Sequence, residues 1–150
     1  MEKTLFAKEL VDEAGLPAFA AKIRPIIEQA NPFVLLLEGE MGSGKTTFVR
    51  EFLQVCGLDA DTPVMSPTYT IVNEYRLNKA WYAHLDLYRA EQHFSFDELG
   101  LTDLKEHRGF FIEWPQQADI SHALQATHLL QIESSEDLDL SYRRYTLKSY

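Results

Sequence analysis

The segment that most constrains the fold is a phosphate-loop motif of the form G-x-x-x-x-G-K-T at residues 39–46. A continuous apolar run, Phe33-Val34-Leu35-Leu36-Leu37, precedes it and predicts a strand buried on both faces. The residues from Thr47 to Cys56 predict a helix that ends at Gly57. Because strand, loop and helix follow in the order that such a motif needs, the sequence predicts a nucleoside triphosphate site.

The chemistry of this site follows from its residue types. Glycines let the backbone bend until successive N–H groups point at phosphate oxygens, beside the positive end of the helix dipole. We expect Lys45 to reach the β- and γ-phosphates, Thr46 to bind Mg²⁺ and Thr47 to lie near the α-phosphate. A glycine-rich turn without a ligand is the alternative, but it gives no reason for lysine followed by threonine. The predicted nucleotide contacts of the loop are Gly39, Glu40, Met41, Gly42, Ser43, Gly44, Lys45, Thr46 and Thr47.

The composition limits the classes of protein to which this chain can belong. A length of 150 residues fits a single domain over residues 1–150, and the sequence has no membrane-spanning run or signal pattern, so we expect a cytoplasmic protein. The single cysteine, Cys56, excludes an internal disulfide and fits a core position on its helix. The net charge of −9 disfavours direct binding of nucleic acid, so any contact with RNA is expected to go through a partner protein.

The remaining elements are predicted from periodicity and turn residues. Runs of strands between a few helices indicate an α/β fold, a P-loop NTPase-type mixed sheet with flanking helices and an antiparallel β addition. A helix from Pro17 to Gln29 is expected to kink at Pro25, and Asn78-Lys79 is expected to connect a hairpin. The predicted strands are Thr4–Ala7, 70–75, 80–88, 110–114, 128–133 and 142–148, with short helices at 96–99 and 102–106 and an acidic turn at 136–139.

A phosphate-loop enzyme also needs a carboxylate at the end of a neighbouring strand. Glu113 ends the apolar run Phe110-Phe111-Ile112 and is the favoured metal contact, direct or through water. Asp86 is expected to orient water, with His84 and Asp86 on one strand face and Leu85 on the other. Either carboxylate alone could instead be a solvated strand end.

Two further residues, His84 and Trp114, each allow two interpretations. His84 could join Asp86 in a metal pair, but a hydrogen-bonded structural role is preferred. Trp114 could line the nucleotide pocket or pack on the core. The other histidines, His93, His107, His122 and His128, have no shared ligand spacing.

Four segments in this order resemble the bacterial TsaE (YjeE) family of small ATPases. They are the phosphate loop, Ser66-Pro67-Thr68-Tyr69-Thr70, His84-Leu85-Asp86-Leu87-Tyr88-Arg89 and Ile112-Glu113-Trp114-Pro115. The loop is shared by many families, whereas the other three segments are far more specific. The resemblance extends from about Val34 to Pro115.

The resemblance implies an ATPase that supports formation of threonylcarbamoyladenosine in tRNA without being the transferase. In that family a partner, TsaD, in complex with TsaB, transfers the group, so tRNA is engaged only indirectly. The resemblance also implies ATP and Mg²⁺ as cofactors and assigns roles to Asp86, Glu113 and Trp114. It likens Ser66, Pro67, Thr68 and Tyr69 to a GTPase switch, although an ordinary proline-containing loop is the alternative.

The sequence departs from the family pattern in a few places. Glu40, Met41 and Ser43 replace residues that are common in the loop, and Gly15-Leu16-Pro17 offers no clear adenine contact. Arg143 or Arg144 could reach the nucleotide, but an exposed strand arginine is the preferred interpretation. No arginine is clearly placed to stabilise transferred phosphate, so hydrolysis by the isolated chain should be slow. A small-molecule kinase and a nucleotide-gated adaptor with incidental hydrolysis are the alternatives.

Overall fold

The computed structural model describes residues 1–90, 95–134 and 142–150. Its helices and strands within these ranges are β1 (Lys3–Asp12), α1 (Leu16–Ile27), β2 (Phe33–Glu38), α2 (Lys45–Val55), β3 (Val72–Leu77), β4 (Ala80–Asp86), β5 (His107–Glu113), β6 (His128–Ser134) and β7 (Tyr142–Ser149). Short 3₁₀ helices occur at Phe96–Leu99, Leu104–Glu106 and Pro115–Gln117. The predicted acidic turn at 136–139 and His93 lie outside the described residues.

The strands form a single mixed sheet in the order β1-β7-β6-β2-β5-β4-β3. β2 pairs in parallel with β5 and β6, and β4 pairs in parallel with β5. The outer pairings, β1 with β7, β6 with β7 and β3 with β4, are antiparallel. The predicted α/β fold with a mixed sheet and an antiparallel addition is therefore confirmed, and the central position of β2 explains its continuous apolar run.

Both faces of the sheet are covered, but by different kinds of structure. α1 and α2 pack on one face, where the rings of Phe33 and Phe52 lie 5.7 Å apart and those of Phe52 and Phe111 lie 5.2 Å apart. The other face buries Leu85, Leu87, Phe110, Ile112 and Leu124 beneath the segments that follow β4 and β5. The predicted alternation along β4 is confirmed, since Tyr82 belongs to the first face and Leu85 to the second.

Several element boundaries differ from the predictions. β1 runs from Lys3 to Asp12, well past the predicted Ala7, because its pairing with β7 continues through two register shifts. α1 runs from Leu16 to Ile27 with Pro25 inside it, and it ends two residues before the predicted Gln29. The predicted hairpin is confirmed, and its turn residues Asn78 and Lys79 have φ of 50° and 68°.

α2 runs from Lys45 to Val55, so that it begins directly after Gly44 as the phosphate-loop motif predicts and ends as predicted before Gly57. The amides of Gly57 and Leu58 donate to the carbonyls of Gln54 and Leu53, which closes the helix with a Schellman motif. Neither α-helix in the described ranges has the length and apolar character that a membrane crossing requires.

Candidate functional site

The phosphate loop connects the carboxyl end of β2 to the first residue of α2. Gly42 and Gly44 have φ of 79° and 101°, a left-handed conformation that residues with a Cβ rarely adopt. Ser43 lies buried between them, and the amide of Ser43 donates to the carbonyl of Glu40 at 3.0 Å. The loop geometry therefore places the amino terminus of α2 at the edge where the parallel strands end.

Lys45 lies inside this loop and is only 5% exposed. Its ammonium donates to the carbonyls of Gly39 at 2.7 Å and Glu40 at 3.0 Å, and lies 4.3 Å from the centroid of the Trp114 ring. Burial lowers the pKa of Lys45, and the negative charges of Glu113 and Asp86 oppose that change. The lysine is thus a desolvated cation, which an anion bound beside it would stabilise.

The two predicted carboxylates meet next to the loop. Asp86 and Glu113 are register partners at the ends of β4 and β5, and each is 3% exposed. Glu113 Oε1 accepts a hydrogen bond from the Thr46 hydroxyl at 2.8 Å. The alternative that these carboxylates are solvated strand ends is therefore wrong for both.

The switch-like segment is joined to the site through Asp86. Asp86 Oδ2 accepts from the hydroxyls of Ser66 at 2.6 Å and Thr68 at 3.3 Å, while Oδ1 accepts from the amide of Tyr88 at 2.9 Å. Pro67 is buried and Tyr69 is 85% exposed. Two hydroxyls of the segment therefore bind the carboxylate at the end of β4, and the comparison with a GTPase switch stays a prediction.

These groups surround an open cavity of about 490 Å³. Trp114 lines the cavity, which favours the pocket interpretation over packing in the core. The lining residues are Met41, Gly42, Gly44, Lys45, Thr46, Thr47, Ser66, Thr68, Asp86, Tyr88, Arg89, Glu113 and Trp114.

A second cavity of about 200 Å³ shares Gly42, Gly44 and Thr47 with the first. It is also lined by Leu16 of α1 and by Tyr145 and Arg143 of β7. The preferred interpretation of Arg143 as an exposed strand arginine is wrong, because its side chain is partly buried and faces this cavity.

The four histidines within the described residues do not gather into a metal site. His84 is fully buried and its Nε2 lies 2.8 Å from Glu113 Oε1, which agrees with a hydrogen-bonded role. His107 contacts Glu74 and His128 contacts Thr127, whereas His122 is exposed. Among residues 1–90, 95–134 and 142–150, no three His, Cys, Asp or Glu side chains come together as a metal cage.

The comparison with protein families identifies the chain. The model of "Threonylcarbamoyl adenosine biosynthesis protein TsaE" matches residues 10–145. The chain belongs to the TsaE family.

Similar sequences and a solved structure agree with this assignment. The TsaE protein of Rickettsia bellii is 33% identical over 116 residues, which cover 77% of this chain and 73% of that protein. The TsaE protein of a Nostoc species is 48% identical over 39% of this chain. The TsaE protein of Bacillus subtilis is 40% identical over 54% of this chain. The matched segments span only 35% and 49% of those two relatives. The crystal structure of Bacillus subtilis YdiB superimposes with a TM-score of 0.70 and 27% identity, covering 99% of this chain and 87% of that one.

Some site residues of this TsaE chain were not predicted from the sequence. Tyr88 and Arg89 were noted only as part of a motif, yet both line the larger cavity, and the Arg89 guanidinium lies 4.8 Å from the Tyr69 ring. Arg89 lies at the cavity against Tyr69, and the expectation that no arginine is clearly placed to stabilise transferred phosphate stays a prediction. The position of Tyr88 and Arg89 directly after the Asp86 strand was the available signal. The contribution of Leu16 and Tyr145 depends on contacts between distant elements and had no such signal.

Proposed function

We propose that this chain binds and hydrolyses Mg·ATP and thereby supports threonylcarbamoyladenosine modification of tRNA. The observation that carries the proposal is the Thr46–Glu113 hydrogen bond beside Lys45, in a chain of the TsaE family. That pair joins the hydroxyl expected to bind magnesium to the carboxylate expected to support it. Such an arrangement is typical of phosphate-loop enzymes, in which positioning and charge stabilisation account for most of the catalysis.

The polyphosphate would bind at the loop. Backbone N–H groups at the start of α2 and the Lys45 ammonium supply positive charge around the larger cavity. The base and ribose would extend past Thr47 into the second cavity, whose Leu16 and Tyr145 offer apolar surface and whose Arg143 offers a cation. This direction leads the base away from Asp86 and Glu113, while Asp12 and Glu13 also line the second cavity.

The residues present fit a magnesium ion. Thr46, Glu113 and Asp86 are oxygen donors, which is the chemistry that Mg²⁺ prefers, and it commonly takes its other ligands from phosphate and water. Thr46 and Glu113 would hold the ion, which neutralises charge on the transferred phosphate. Asp86 is fixed by three hydrogen bonds and would orient water at the cavity.

Partner proteins complete the proposal. The family's role in threonylcarbamoyladenosine biosynthesis and the net charge of −9 favour action through a protein complex, for which TsaD and TsaB are the proposed partners. Met41, Met65 and Tyr69 are 71%, 69% and 85% exposed, in or near segments that border the larger cavity. Exposed apolar and aromatic side chains at the mouth of a site suit a protein contact.

The deciding experiment is phosphate release from Mg·ATP by the chain alone and with added TsaD and TsaB. We expect slow release that rises with the partners, and none above background for the Lys45→Ala variant. Equal rates with and without the partners would contradict the partner role. Transfer of phosphate to a small acceptor would instead support the kinase alternative.

The contact between Ser66 and Asp86 favours one alternative, a nucleotide-gated adaptor whose hydrolysis is incidental. In that case nucleotide binding would be read out through residues 66–69, and cleavage would not matter. An Asp86→Ala variant that no longer hydrolyses ATP but still supports tRNA modification would favour the adaptor. Loss of hydrolysis and of tRNA modification together in Glu113→Ala, which leaves the Ser66–Asp86 contact in place, would favour the ATPase.

A further inference from the structure

Glu113 is anchored by two side chains at one oxygen. Its Oε1 accepts from the Thr46 hydroxyl at 2.8 Å and lies 2.8 Å from His84 Nε2. A carboxylate oxygen only accepts hydrogen bonds, so Nε2 must carry the hydrogen and donate. With Oε1 occupied twice, Glu113 has its other oxygen, Oε2, for the cavity that it lines.

The other ring nitrogen of His84, Nδ1, makes no comparable hydrogen bond among the described residues. Nδ1 is buried without a hydrogen-bond partner among the described residues, and the residue is 0% exposed. A buried polar atom without a partner is unfavourable, and a leucine would fill this position without that cost. Packing alone therefore does not explain the histidine, whereas its Nε2–H bond to Glu113 does.

We propose that His84 is a positioning residue that holds Glu113 for the magnesium ion. The inference rests on the proposed Mg·ATP function. His84 occupies β4 two residues before Asp86, and Glu113 ends the neighbouring strand β5, so the sheet itself fixes the distance between donor and acceptor. Residues that orient the groups around a metal commonly change metal affinity or activity by about 10–100-fold when they are replaced.

The test compares His84→Leu, which removes the donor, with His84→Gln, which carries an N–H near the Nε2 position. His128→Leu is the matched control, because His128 is also a buried strand histidine but contacts Thr127 and lies outside both cavities lined by the loop. For each variant, ADP affinity is measured in EDTA and across a Mg²⁺ titration, together with the thermal midpoint and phosphate release.

We expect His84→Leu to bind ADP in EDTA as tightly as wild type does. The Mg²⁺ concentration that produces half of the magnesium-dependent increase in ADP affinity should be about 10–100-fold higher than for wild type. His84→Gln should have a Mg²⁺ requirement close to that of wild type, and His128→Leu should behave as wild type. An unchanged Mg²⁺ requirement in folded His84→Leu would overturn the proposal. So would an equal loss of affinity with and without Mg²⁺, which indicates a general structural defect.

If His84→Leu does not fold, His84→Asn replaces it in the comparison with His84→Gln. Asparagine is too short to bring its N–H to Glu113, so only the glutamine variant should keep the Mg²⁺ response. Equal responses of the two would refute the positioning role. If the wild-type protein binds no Mg·nucleotide, the proposed function itself is refuted. If the wild-type protein binds it and His84→Leu binds it equally well, only this inference is refuted.

Discussion

The Lys45 ammonium lies 4.3 Å from the centroid of the Trp114 ring, so an anion bound at Lys45 would lie beside an indole. We therefore predict that ADP or ATP changes the intrinsic fluorescence of the protein. The chain has two tryptophans, and Trp81 lies near the start of β4, away from Asp86 at its end. The change should persist in Trp81→Phe and vanish in Trp114→Phe. The reverse pattern would contradict the placement of the nucleotide beside Trp114.

Substitution of Lys45 should mainly reduce nucleotide affinity, whereas substitution of Glu113 should mainly reduce hydrolysis. Hydrogen bonds to charged groups contribute about 1.5–3 kcal/mol each, so Lys45→Ala should weaken nucleotide affinity by more than about tenfold. Glu113→Ala should keep much of the affinity and lose most of the phosphate release, because Glu113 acts through Thr46 and the ion. Calorimetric titration with ATP and a phosphate-release assay measure the two quantities. Tight ATP binding by Lys45→Ala would remove the basis for the proposed site.

Cys56 should make stability depend on alkaline pH. Burial raises the pKa of its thiol from 9.0 to about 11, so the native state favours the neutral form. Between these values the unfolded chain loses a proton that the native chain keeps, so the free energy of unfolding should fall as pH rises from 9 to 11. Tyr82 and Tyr145, whose pKa burial raises to about 12, add to the fall above pH 10. Urea midpoints at successive pH values should show a smaller decline for Cys56→Ala between pH 9 and 10, and an identical decline would contradict this account.

At the scale of the elements, the hairpin between β3 and β4 is closed by residues that are not ideal for its geometry. Asn78 and Lys79 both have positive φ; asparagine adopts this conformation readily, whereas it costs a lysine about 1–2 kcal/mol. Lys79→Gly should therefore stabilise the protein by about 0.5–1 kcal/mol after the extra chain entropy of glycine is deducted. Lys79→Ala removes the charge but keeps the Cβ, so it should show no comparable gain. Thermal midpoints of the three proteins measure the difference, and equal gains from both variants would point to charge instead of backbone conformation.

The elements that sequence predicted well are those whose signal is local. The apolar run of β2, the glycines of the loop and the amphipathic α2 each carry their own pattern, and the structure places them as expected. β1 was predicted too short because most of its residues are exposed or half-buried, so hydrophobic periodicity stops long before its hydrogen bonding to β7 does. Pro25 was expected to kink α1, and the helix continues through it to Ile27, because a proline removes only the hydrogen bond that its own N–H would donate.

At the scale of the whole molecule, the site depends on strand order, which sequence patterns do not determine. Glu113 and Asp86 could be named from their own strands, but their pairing follows from β4 and β5 being neighbours. The same adjacency brings His84 to Glu113, and the position of β7 brings Arg143 toward the loop. The residues could therefore be named from their own segments, whereas the partners that they contact across the sheet could not.

The charge of the whole molecule gives the last prediction. With a net charge of −9, the isolated chain should repel the phosphates of tRNA. Its dissociation constant for tRNA should therefore be larger than about 10⁻⁴ M, which is the upper end of the range for ordinary non-specific binding. A gel-shift titration with tRNA at several salt concentrations measures this, with TsaD and TsaB added in a parallel series as the control. Retention of this chain with tRNA only in the parallel series would place the RNA contact on the partners. Micromolar binding by the chain alone, weakening steeply with salt, would mean that a local cluster of positive charge outweighs the net charge, and would contradict an indirect role.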